Sequence, residues 1–217
     1  MAPRKKAFSG STRTDNPDTV SKNDSPDARE QLLEELLNEG VILGEEGKTR
    51  EEIAVYDDID RRFGKDKSPG VRERVAEALL FKGITLGDQG KTRKAIAVYD
   101  DIDCRFGKDD SPGVRERVAK ALVGKSATLG KQGKTEETIA VCDDIERRFG
   151  KDESSGVREQ VASALINKGI ALGEEGRIEE AVAVFDDIGC RFGKDDSPGV
   201  RETGQKARDY KEYYSGG

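Results

Sequence analysis

Apolar side chains recur at spacings of three and four along most of this chain. In one stretch they are Val75, Ala78, Leu79, Gly83 and Leu86, which share one face of an α-helix. In the next they are Ala95, Val98, Tyr99, Ile102 and Phe106, again a single stripe. Between the two lies "GDQGKT", where Gly90 can take a left-handed helix cap and Thr92 can cap the following helix. In the equivalent earlier segment, "TREE" (Thr49 to Glu52) reads as a capping box. After the second stripe, "FGKDDSPG" breaks the pattern with Gly, Asp and Pro. Before the first stripe, Ser68-Pro69 offers an N-cap followed by proline at the first helical position. The pattern predicts two helices joined by a tight turn.

That hairpin is written several times. The stretches "FGKDKSPGVRERVAEAL", "FGKDDSPGVRERVAKAL", "FGKDESSGVREQVASAL" and "FGKDDSPGVRETGQKAR" place Val71, Val114, Val157 and Val200 in one 43-residue register. Counting back from Val71 lands on Ala28, so "SPDAREQLLEELLNEG" is a diverged first copy. Four units follow, 28–70, 71–113, 114–156 and 157–199, and a fragment, 200–217, comes after them. Self-similarity at such a period is the mark of stacked supersecondary units, none of which buries its apolar face alone. The expected fold is all-α: a right-handed α-solenoid of four helical hairpins. In the last fragment Gly204, Arg208 and Glu212 replace apolar or small positions of the stripe, which suits a C-terminal capping helix with a polar outer face. Tyr210, Tyr213 and Tyr214 are expected to finish the core; the alternative is a small contact patch. Residues 1–24 carry little apolar surface and are expected to form a disordered tail.

The stretch "AEALLFKGITLGDQGKTRKAIAVYDDI" resembles a tetratricopeptide repeat. The family's large, small and aromatic positions fall on Leu79, Gly83, Leu86, Gly90, Ala95, Tyr99 and Ile102, and in the fourth unit on Leu165, Gly169, Leu172, Gly176, Ala181, Phe185 and Ile188. The other units depart: Glu52 and Thr138 stand for the small Ala, Ser126 for the Gly and Cys142 for the aromatic. The family's usual period is 34, so nine extra residues sit around "FGKDDSPGVRE", lengthening the start of the first helix or loosening the joint. The resemblance covers about 28–199. It implies a protein–protein interaction scaffold, with the first helix of each unit lining the concave face.

Composition narrows the function classes. Charged residues make up 38% of the chain and apolar ones 34%, too polar for a large spherical core and suited to an elongated body. The net charge is −6; residues 1–24 are net +2, which leaves −8 for the rest. A negative body argues against nucleic acid and against anionic membrane surfaces as partners. No apolar run is long enough to span a bilayer, and the N-terminus lacks the apolar core of a secretory signal. Three scattered cysteines form no CxxC pair, and the protein reads as cytoplasmic.

The chain holds no histidine, which removes Ser-His and Cys-His nucleophile pairs, so an enzyme is not expected. "GEEGKT" and "GDQGKT" are not phosphate loops, because Ile42, Thr85 and Thr128 occupy the place of the first glycine. The doublets Asp57-Asp58, Asp100-Asp101, Asp143-Asp144 and Asp186-Asp187 read as surface acids, since helix neighbours point about 100° apart. The glycine pairs Gly40/Gly44, Gly83/Gly87 and Gly169/Gly173 suggest close approach of the two helices in a hairpin. No cofactor or metal is expected. By resemblance, the binding face carries two rows: Leu37, Leu80, Val123 and Ile166, then Val41, Ile84, Ala127 and Ile170. Their aliphatic character implies an apolar groove for a protein or peptide segment, rimmed by Glu34, Glu45, Glu77, Asp88, Lys120, Lys131 and Glu174. The competing expectation is structural: end-to-end self-association into oligomers or filaments.

Overall fold

The structure is a computed structural model that describes residues 25–216. The expectation for residues 1–24 lies outside them. Among the described residues every regular element is an α-helix: α1 Pro26–Glu45, α2 Thr49–Phe63, α3 Pro69–Asp88, α4 Thr92–Phe106, α5 Pro112–Gly130, α6 Thr135–Phe149, α7 Ser155–Glu174, α8 Ile178–Phe192 and α9 Pro198–Ser215. First helices run 19 or 20 residues and second helices 15, so the additional length lies in the first helix. Each odd helix packs on the even helix that follows it and on the next odd helix; α2, α4, α6 and α8 also pack on the odd helix after them.

The turn inside each hairpin follows from one glycine. Gly47, Gly90, Gly133 and Gly176 have φ between 67° and 84°, the left-handed region that glycine enters without steric cost. The Gly90 N–H then donates to Gly87 O and the Lys91 N–H to Leu86 O, at 2.9 Å each, which closes a Schellman motif. Lys91 thus closes the cap of α3 with its N–H and is itself the N-cap of α4, its carbonyl accepting from Lys94 and Ala95. The expected threonine caps are therefore corrected. Thr49 and Thr92 lie inside their helices, neither α2 nor α4 has a side-chain cap, and Thr92 Oγ1 donates to Gly90 O instead.

Inside a hairpin the second-helix ring rests on a first-helix glycine. A Cβ added to Gly83 would stand 2.5 Å from Tyr99 Cε1, and one added to Gly169 would stand 2.6 Å from Phe185 Cε1. Tyr99 also meets Gly124 of the following hairpin, whose added Cβ would be 2.8 Å from its Cζ. The third hairpin solves the same packing problem differently. Ser126 replaces the glycine and Cys142 the ring, and both are fully buried. Ser126 Oγ donates to Val123 O at 2.8 Å and accepts from Asn167 Nδ2 at 2.9 Å.

The recurring "FGKDxSPGVRE" is the joint between hairpins, and most of its residues have a defined partner. Its Phe is buried core (Phe63, Phe106, Phe149, Phe192). Its Asp turns the chain: Asp109 Oδ1 accepts from the Ser111 N–H at 2.9 Å. The Asp109 Oδ2 accepts from Arg72 Nε at 2.7 Å, which ties the end of a hairpin to its own beginning. The same bond recurs as Arg29–Asp66, Arg115–Asp152 and Arg158–Asp195. Arg72 and Arg115 also lie over the Phe106 and Phe149 rings, 5.0 and 5.2 Å from their centroids. The motif's glycine leaves room for the preceding hairpin's glutamate: the Glu30 and Glu73 carboxylates lie where side chains on Gly70 and Gly113 would stand. Those carboxylates face the positive N-terminal ends of α3 and α5. The serine takes the N-cap place, yet Ser68 Oγ donates to Asp66 Oδ1, and only Ser25 and Ser154 accept a capping hydrogen bond.

Two further ladders bind neighbours. Asp57, Asp100, Asp143 and Asp186 pair with Lys82, Lys125, Lys168 and Lys211 of the next odd helix, at 2.5 or 2.6 Å. Their doublet partners Asp58, Asp101, Asp144 and Asp187 pair with arginines of their own helix. In the second ladder Arg105 bridges Asp60 and donates to Gly64 O at 3.0 Å, and Arg148 does the same with Asp103 and Gly107 O. At the last hairpin Gly189 stands where α2, α4 and α6 carry Asp60, Asp103 and Glu146. There Arg208 of α9 lies over Gly189 and its Nη2 donates to Gly193 O at 3.2 Å. So α9 takes the first-helix place of a fifth unit and also supplies the arginine that a further second helix would bring. Gly204 permits this, because a Cβ there would meet the Gly193 backbone at 2.8 Å.

Two measurements test this packing. Gly83→Ser overpacks the Tyr99 ring and Tyr99→Cys empties its seat, so each variant is expected to lose about 1–4 kcal/mol in urea unfolding. The double variant reproduces the Ser–Cys pair of the third hairpin, and its loss is expected to fall short of the sum by at least about 1 kcal/mol. Strict additivity would contradict the ring-on-glycine account. The second concerns pH. Burial opposes ionisation of Asp109, but the Ser111 and Arg72 hydrogen bonds outweigh it and hold the carboxyl below its ordinary value of about 3.9. A depressed folded value stabilises above the unfolded one, and the stabilisation disappears as pH falls through the folded value. Asp109→Asn is expected to cost about 1–2 kcal/mol at pH 7, with the gap to wild type closing below about pH 4. A gap unchanged at pH 2 would contradict it.

Candidate functional site

Side-by-side packing of the odd helices decides which of their residues remain on the surface. Each interior odd helix is flanked by two others, so a residue pointing sideways is covered, and one turned away from the even helices is not. The two rows expected to line a groove divide on this basis. Leu37, Leu80 and Ile166 are 6%, 5% and 8% exposed, and Val123 is half-buried. This row is packing between odd helices, which corrects the expectation of an open two-row groove. The second row is on the surface: Val41 is 39% and Ile84 43% exposed, with Ala127 and Ile170 half-buried.

The structure brings the second row together in pairs. Val41 of α1 and Ile84 of α3 line one cleft of about 460 Å³. Ala127 of α5 and Ile170 of α7 line another of about 200 Å³. Of the charged residues expected at the rim, Asp88 borders the first cleft, and Lys131 and Glu174 border the second. Glu34 pairs with Arg74, Glu77 with Arg74 and Arg117, and Lys120 with Glu116, so these three are committed to neighbours.

One member of this face is missing from the sequence reading. Tyr213 continues the register of Ala127 and Ile170 on α9 and is 76% exposed. The 43-residue count alone carries that signal. The expectation that all three tyrosines finish the core is therefore corrected at Tyr213. Tyr210 and Tyr214 stack on Phe185, with centroids 5.6 and 5.9 Å apart, and the half-buried Tyr214 extends the core against Gly173. Tyr213 stands outside with its edge against Tyr214.

A larger open cleft of about 710 Å³ lies among α4, α5 and α6. Its lining charges are largely matched, Lys125 with Asp100 and Lys134 with Glu137. The thiols are separate from both clefts of the first-helix face. Cys104 and Cys190 are exposed and unbonded; Cys142 is buried, and burial pushes its thiol up to about 12. Among the described residues no group of three or more His, Cys, Asp or Glu is placed to hold a metal ion, and no helix is long and apolar enough to cross a membrane.

Comparison with known proteins gives no match: no family model, no curated protein and no solved structure matches this chain.

Proposed function

We propose that this protein is a non-enzymatic interaction scaffold. It is a tetratricopeptide-like, right-handed α-solenoid, cytoplasmic, that holds a protein or peptide segment against its odd-helix face. The carrying observation is the row of surface apolar residues at one register position, with Val41 and Ile84 about two-fifths exposed and Tyr213 beyond them. Aliphatic residues spaced along a face suit the apolar side of an amphipathic segment. The half-buried Ala127 and Ile170 keep the middle of the row shallow, so the ends contribute most of the contact. The charged rim carries Asp88 and Glu174, with Lys131 between them, so a segment with basic residues beside its apolar ones fits best. End-to-end self-association is the weaker reading. Arg208 already occupies the last second-helix carbonyl, and Gly189 offers no acid to the Arg62 of another copy.

Selection from a displayed peptide library against the immobilised full chain tests the reading. Enriched peptides are expected to bind wild type and to lose at least about tenfold in affinity, or 1.4 kcal/mol, to a Val41→Asp/Ile84→Asp variant. Because both side chains are at the surface, the variant is expected to keep its stability within about 0.5 kcal/mol. Leu80→Asp, by contrast, buries a charge and is expected to unfold the protein or cost more than about 3 kcal/mol. Peptides that bind the double variant as tightly as wild type would refute the reading.

A further inference from the structure

The cleft between α1 and α3 differs from the equivalent places in the other hairpins by one residue. Position 52 carries a glutamate where the second, third and fourth hairpins carry Ala95, Thr138 and Ala181. Glu52 is 7% exposed, lies on the buried stripe of α2 with Tyr56, Ile59 and Phe63, and lines the cleft. Its hydrogen-bond partners are neutral. Thr85 Oγ1 donates to Glu52 Oε1 at 2.6 Å. Burial, then the charge and hydrogen bond of Glu52, hold the Tyr56 phenol proton well above the usual range. The contrast with the next hairpin is direct. Thr128, the equivalent of Thr85, faces no carboxylate and donates to Gly124 O of its own helix at 2.7 Å.

A buried carboxylate without a cation is costly, and in this chain most acids between hairpins are paired. Among the described residues no lysine or arginine lines this cleft, and a second carboxylate, the exposed Asp88, stands at its edge, again without an ion-pair partner among them. The rest of the lining is uncharged: Thr49, Thr85 and Gln89 are polar, and the remaining residues are apolar or aromatic. Val41 and Ile84 stand on either side, and the Phe81 and Tyr56 rings, 5.9 Å apart, lie deeper. An alkyl stem between two aliphatic side chains, with a cation beyond it near an aromatic ring and two carboxylates, is the chemistry of a lysine side chain.

Resting on the proposed scaffold function, we propose that this cleft is the subsite for a lysine side chain of the bound segment. The methylenes pass between Val41 and Ile84, and the ammonium meets Glu52 and Asp88. The position is specific to the first pair of hairpins. At the next pair Ala95 and Lys131 replace Glu52 and Asp88, which removes both carboxylates and places a like charge against the ligand.

The probe is n-hexylammonium, with 1-hexanol and hexanoate as controls, titrated into the full chain with carbon-13-labelled Val and Ile methyl groups. Hexylammonium is expected to shift the Val41 and Ile84 methyls saturably and at least fivefold more tightly than hexanol, with hexanoate weakest. Glu52→Gln keeps an acceptor for Thr85 and is expected to remove that preference. Asp88→Asn, at an exposed position, is expected to weaken it severalfold and serves should Glu52→Gln fail to fold. Equal affinity for hexylammonium and hexanol, or a preference that survives in both variants, would overturn the lysine subsite while leaving the apolar face standing. If neither probe moves these methyls, the face and the subsite fall together.

Discussion

The ring that a second helix seats on a first-helix glycine sets the closeness of the first, second and fourth hairpins, and both outer surfaces of the hairpin follow from it. Gly83 lets α3 and α4 approach until Tyr99 fills the space between them. Tyr99 is long enough to reach beyond its own hairpin to Gly124, so one side chain fixes both a hairpin and its stacking on the next. The third hairpin shows what the contact requires rather than which residues it needs. Ser126 and Cys142 together are smaller than the glycine and ring they replace, and Asn167 of α7, which stands at the register place of Gly124, hydrogen-bonds to Ser126 in the space that is left. An interior glycine costs about 1 kcal/mol of helix propensity relative to alanine, and the packing gained at these sites offsets it.

On that spacing, the joint motif works by handing groups across a boundary. Its arginine reaches the aspartate at the far end of its own hairpin, and its glutamate reaches the N-terminal turn of the next odd helix. Farther along, the second-helix arginines reach back to the C-cap carbonyl of the preceding second helix. Each interaction taken alone is a partly exposed ion pair or hydrogen bond of modest value. Their effect comes from repetition at a fixed register, which leaves a single way to stack one hairpin on another. The chain's high charge content is thereby explained: much of it is the bonding between units.

The helices and their hairpin pairing were legible from the three-and-four spacing, and the left-handed turn from its glycine. The reading failed where two apolar neighbours on one helix face different ways. Leu80 and Ile84 look alike in a sequence, but only the stacking of odd helices decides that Leu80 is covered and Ile84 is not. The threonine caps failed because a Schellman turn pulls the N-cap back to the lysine before them. Tyr213 was recoverable by counting 43 from Ile170, yet it sits among three tyrosines whose fates differ. Glu52 was visible as a departure from the repeat. Its meaning was not, because only the folded chain shows that the acid is buried, faces a cleft and lacks a cation.

The central claim is that each hairpin owes its order to the neighbours on either side. The most direct measurement is native-state hydrogen exchange, resolved by residue. Odd helices α3 and α5 are flanked by odd helices on both sides, whereas α1 has one such neighbour and leaves Ile42 53% exposed where Thr85 and Thr128 are buried. Protection is therefore expected to be highest in α3 to α6 and distinctly lower in α1, with intermediate openings between the two. Equal protection in α1 and α5, with all amides exchanging through one global opening, would contradict nearest-neighbour stacking as the source of the fold.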